Sequence, residues 1–235
     1  MRSKLLITLA VSLVVIAAAF PASAQEKHAG FLAADEEMVG KLLKGRSTDE
    51  LTRELEGASE RATAAEQELR EAADIAAVAR ARVTIKKEEL SLVKERITLA
   101  RSERNATKRS ELEALRDRQE EELGVFEIMR EAADVQKERA EAALDFARSR
   151  MRMHEIEIKL AQKRETRIAL AGTQGDAVAA AKLAEMDTDI RNSSRAVLNA
   201  MRDYAKKSRR LADTTEDLAK ARLELLDAWE ARKGR

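Results

Sequence analysis

From Leu51 onward the apolar residues fall four and three positions apart in turn. The series is Leu51, Leu55, Ala58, Ala62, Ala65, Leu69, Ala72, Ala76, Ala79, Val83, Lys86, Leu90, Val93, Ile97 and Ala100, with Lys86 its one polar member. Such spacing keeps one stripe on one side of a helix and repeats as a heptad, the pattern of a coiled-coil seam. Many members are Ala, so partner helices come close while each residue buries little surface, and length has to compensate. The start is marked as well. Ser47 and Glu50 fit a capping box, and Asp49 and Glu50 complement the positive end of the helix dipole.

A second apolar stripe, Val78, Ile85, Leu92 and Leu99, runs beside the first at intervals of seven. It widens the apolar face beyond what one partner helix needs. We expect this helix-partner stripe to be covered by a third helix of the chain or by another copy in a homo-oligomer.

The pattern then breaks. Between Arg101 and Glu111 the only apolar residue is Ala106, Asn105 is suited to a left-handed cap, and Ser110 with Glu113 makes another capping box. A turn is therefore expected near 104–110, in place of one unbroken helix over 48–171. The stripe resumes with Leu112, Leu115, Phe126, Met129, Ala133 and Ala140. It slips in register near Leu144 and goes on through Ala147, Met151, Ile158, Ala161 and Ile168. Gly172 and Gly175 mark the next turn, and Leu183, Met186, Ile190, Val197, Met201, Tyr204, Leu211, Leu218, Leu225 and Trp229 carry a third helix.

The expected fold is all-α: a long antiparallel three-helix coiled-coil bundle, an up-down-up rod with helices at about 48–104, 111–171 and 176–231 within an elongated domain over 47–235. Pro is absent after residue 21, so nothing interrupts these helices.

The N-terminus reads differently. Arg2 and Lys4 precede an apolar run from Leu5 to Phe20, and Pro21 leads into Ala22-Ser23-Ala24, a small-x-small cleavage site. Residues 1–24 are thus expected to be a bacterial-type signal peptide that is cleaved. The product is expected to be periplasmic or secreted, and not a lipoprotein, because the chain has no Cys. Residues 25–46, with Phe31, Leu32, Met38, Val39, Leu42 and Leu43, form a short amphipathic segment expected to pack on one end of the domain.

Composition narrows the chemistry. Charged residues make up 37% of the chain and aromatics 3%, the balance of long helices and not of a sandwich or barrel. Zinc ribbons and disulfide scaffolds need Cys. Neither a P-loop nor a dinucleotide-binding glycine motif is present. His154 lies near Met151 and Met153, a set that superficially suits a soft metal, but only Met151 shares its helix face. Asn105 and Asn192 each begin a glycosylation-like triplet, which a bacterial-type export signal makes a chance match. We therefore expect no enzyme, no cofactor and no metal.

Bases and acids nearly balance, at 44 to 43, which with export disfavours nucleic acid as a partner. In an up-down-up arrangement the first turn and the C-terminus share an end. Arg101, Arg104, Lys108, Arg109, Arg232, Lys233 and Arg235 would gather there as a basic tip for anionic lipid or cell-wall polymer. The leading functional expectation is a non-enzymatic scaffold or protein-interaction rod of the bacterial cell envelope, binding other envelope proteins by helix packing. A holdase-type periplasmic chaperone and a helical adaptor of an envelope export system are the alternatives.

Overall fold

The computed structural model describes residues 46–172 and 177–233, in which three helices account for nearly everything. These are α1 (Thr48–Ser102), α2 (Ala106–Ala171) and α3 (Ala177–Lys233), of 55, 66 and 57 residues. No strand occurs among the described residues, so the fold is all-α. Contacts divide the chain into residues 1–51 and 52–235. In the first, the Glu50 amide donates to Ser47 Oγ at 3.2 Å, the bond expected of a capped helix start. The signal-peptide reading and most of the 25–46 segment lie outside the described residues.

Within the second unit, α2 lies between two neighbours. Ion pairs to α1 run Arg101–Glu113, Lys94–Glu120, Lys87–Glu127, Arg80–Asp134 and Arg148–Glu66, so partner numbers climb on α2 as they fall on α1. Toward α3, Arg167 meets Asp187, Asp145 meets Lys207 and Arg210, and Glu122 meets Arg232, again in opposite order. The packed core between α1 and α2 joins Ala62 and Ala65 to Leu144 and Ala147, with Leu69 and Met151 against them. Toward α3, Phe146 stacks obliquely on Tyr204 with centroids 4.9 Å apart.

The seam read on α1 is the face it buries. Every one of its fifteen positions is buried or half-buried, Lys86 included. The α3 interface is thinner: among the described residues that helix buries only Val197, Tyr204 and Leu218, against eleven residues of α1.

The first turn is tighter than expected. It occupies residues 103–105, and α2 starts at Ala106 instead of 111. Asn105, extended at φ −89°, caps the helix by accepting from the Lys108 amide at 3.0 Å. The left-handed residue is Arg104, at φ 53°. The Ser110–Glu113 box is not used, because the Asn105 side chain, five residues after the last seam position, Ala100, already meets an orphan amide. At the far end Gly172 closes α2, its N–H bonded to the Ile168 carbonyl at 3.3 Å. Residues 173–176, between α2 and α3, lie outside the described residues.

Two predicted seam members of α2 are exposed, Leu115 and Ile168.

Candidate interaction surfaces

Four features gather the chemistry of the described residues, and each begins from helix register. The first is His154 on the seam between α1 and α2, fully buried. Its Nδ1 stands 3.2 Å from Glu157 Oε2, one helical turn on, and 3.6 Å from Glu54 Oε2 on α1. Arg150 Nε stands 3.5 Å from its Nε2, on the side away from the carboxylates. The ring thus hydrogen-bonds Glu157 on its own helix and stands beside the Glu54 carboxylate of α1 inside an Ala-rich seam. Met153 is equally buried. Among the described residues no group of three His, Asp or Glu is arranged to hold a metal ion.

The second is Lys86, the polar member of the α1 seam. Its ammonium bonds Glu89 at 2.7 Å and Glu122 of α2 at 3.2 Å, and lies 5.9 Å from the Phe126 ring centroid. Arg232 of α3 takes the other oxygen of Glu122 at 2.8 Å. One carboxylate so links a cation from each flanking helix. The hydrogen bond to Glu89 is the largest influence on the Lys86 pKa, which is raised against the opposing effect of burial.

The third is the first turn. Arg101, Arg104, Lys108 and Arg109 are there, but acids accompany them. Glu113 takes Arg109 at 2.8 Å and Arg101 at 3.4 Å, and Glu103 takes Lys108 at 3.3 Å. The hydrogen bond from Arg109 is the main reason the Glu113 pKa is lowered. Arg232 does not join them. Its partner Glu122 is well inside α2, about 24 Å from that helix's first residue at 1.5 Å per residue. The side chain of Lys233 and all of Arg235 lie outside the described residues. Arg232 thus lies away from the first turn, and local acids pair three of the four bases at that turn.

The fourth is the stripe Val78, Ile85, Leu92 and Leu99. Its members are 46–60% exposed, so α3 does not cover them. They stand on a face of α1 about 120° from the seam, as the 100° turn per residue requires. Sequence reasoning missed a companion feature on α3, where Arg191, Arg195, Arg202, Lys206 and Arg209 are all exposed along one face around an exposed Leu198. A tally of apolar residues does not see it; same-sign charges at four-and-three spacing are the signal. A shallow open groove of about 480 Å³ between α2 and α3, lined by Ile156, Lys163, Met186 and Ser193 among others, completes the surface.

No protein-family model matches the chain, and no curated protein and no solved structure matches it. No described helix is long and apolar enough to cross a membrane.

Proposed function

We propose that this chain is a non-enzymatic, exported coiled-coil rod that scaffolds or docks proteins of the bacterial cell envelope, its helices arranged up-down-up. One observation carries the reading. Long helices keep rows of apolar and charged side chains facing outward at heptad spacing, where they are free to meet other helices. The signal-like N-terminus supplies the compartment. The test is to express the full chain in a bacterium with two membranes and follow its mass and fraction. The reading expects cleavage after Ala24, recovery in the periplasm and co-purification of an envelope protein after crosslinking. An unprocessed chain in the cytoplasm contradicts it.

The exposed stripe on α1 also supports a second reading, a holdase that grips apolar segments of unfolded clients. That activity would suppress aggregation of a denatured client at near-equal molar ratio and would be lost in Ile85→Ser/Leu92→Ser. A scaffold leaves the aggregation unchanged.

A further inference from the structure

Charges that border the seams are matched inside the chain. Arg80, Lys87 and Lys94 of α1 each find an acid on α2, and Asp145 of α2 finds two cations on α3. Two outward rows behave otherwise.

On α1 the apolar stripe is half of a complete second heptad row. Glu71, Asp74, Ala81, Glu88 and Glu95 alternate with Val78, Ile85, Leu92 and Leu99 at spacings of three and four, and every member is exposed. The row holds four carboxylates and no base over about 42 Å. On α3, Arg191, Arg195, Leu198, Arg202, Ala205 and Arg209 keep the same spacing, with Lys206 alongside, over about 27 Å. This row holds five cations and no acid. Among the described residues none of these nine charges makes an ion pair within 4 Å; Arg191 Nε donates to the Asp187 backbone carbonyl at 3.2 Å, and its charge also acts on the Asp187 carboxylate.

Same-sign neighbours one turn apart, such as Arg191 with Arg195 and Arg202 with Lys206, repel and weaken a lone helix. A partner of opposite sign reverses that. The sequence of this chain contains such a partner: two rows of equal spacing, opposite charge and a shared apolar content. Both also occur on a molecule whose bases and acids otherwise cancel.

We propose that two copies of this chain associate through these rows, the acidic α1 row of each against the basic α3 row of the other. A two-fold arrangement forms the contact twice and satisfies both rows at once. Val78, Ile85 and Leu92 lose water against the α3 row of the partner. An anionic surface would satisfy only the α3 row and would repel the carboxylates beside the exposed stripe, which is why a second copy is the better occupant. This inference does not depend on the scaffold reading.

The test is the solution mass of the full chain and of two charge-reversed variants, Glu88→Lys/Glu95→Lys and Arg202→Glu/Arg209→Glu. In about 50 mM salt the native chain should have twice the mass of one chain, and it should dissociate in about 1 M salt, where screening is short-ranged. Each variant alone opposes like charges at both contacts and should have the mass of one chain, with helix content and thermal midpoint of a folded protein. Mixed in equal amounts, the two variants should restore the twofold mass, because each then offers the other a complementary pair of rows. A native chain of single mass in low salt overturns the proposal, as do variants that dimerise alone or a mixture that stays at single mass. So does a single-mass native chain that binds anionic vesicles through the α3 row.

Discussion

Two rows of α1 share a helix, a spacing and a residue vocabulary, yet meet opposite fates. Val83, Leu90, Val93 and Ile97 are buried against α2, while Val78, Ile85, Leu92 and Leu99 remain about half exposed. What separates them is the residues set between the large apolar ones. Along the inner row the intervening positions are mostly Ala, which lets the helices close on each other, and Lys86, the exception, is held by two carboxylates. Along the outer row most of them are acids that make no ion pair within 4 Å among the described residues. Heptad spacing therefore announces that a row will pack. The charges beside it decide whether the chain itself provides the partner.

The largest test of that contrast is a paired substitution. Val83→Asp places a carboxylate in the closed seam and should cost about 3 kcal/mol or more of unfolding free energy, read by chemical denaturation. Ile85→Asp, two residues away, should change single-chain stability by no more than about 0.5 kcal/mol. Comparable losses at the two positions would erase the distinction between the rows.

Next comes Lys86. Removing its ammonium in Lys86→Ala leaves Glu122 with Arg232 alone and trims a half-buried stem, and should cost about 1–2 kcal/mol. Lys86→Met keeps the stem and should cost less, because an apolar side chain of like volume suits the seam. If Met is the more damaging change, the ion pairs and not the packing hold this point. The Lys86 pKa is raised, so its contribution is complete below the ordinary lysine value and fades as pH climbs through the higher folded value.

Acid should act first where packing is thinnest. Arg167 forms two hydrogen bonds to Asp187 across α2 and α3, and these chiefly lower the Asp187 pKa. A depressed carboxylate stabilises the fold above its unfolded pKa, and the effect is lost as pH falls through the lower folded value. Amide exchange near Asp187 should thus accelerate on acidification before exchange in the Ala62–Leu144 core does, and uniform acceleration would contradict the account. The smallest effect is expected at Gly57 and Gly124, where an added Cβ meets nothing within 4 Å. Gly→Ala at either should stabilise by about 0.5–1 kcal/mol in thermal unfolding.

Sequence and structure agree best where one physical rule dominates. The α1 seam was readable to the residue because burial follows the 3.6-residue period directly. The first turn was located but misplaced by several residues, since Asn105 and Ser110 both offer a capping oxygen and spacing alone does not choose between them. Ile168 kept the seam period yet is exposed, because period alone does not say whether a partner covers the position. His154 was legible as sharing a helix face with the seam residue Met151. Its pairing with Glu54, a hundred positions away, depends on the alignment of two helices and was not. The meeting of Arg232 with Glu122, deep in α2, was hidden for the same reason, because helices of similar length need not end level. The basic row of α3 was visible in principle, and attention to hydrophobic positions alone concealed it.

The account rests on the inner row being closed by the chain and the outer row by association. Because the chain has no cysteine, a single thiol can report on each row. Thiol-labelling rates of Val83→Cys and Ile85→Cys should be followed across protein concentration in low salt. The account predicts that position 83 is protected at every concentration, while position 85 reacts fast when dilute and slows as the chain is concentrated. Fast labelling at position 85 independent of concentration, with position 83 protected, would contradict it.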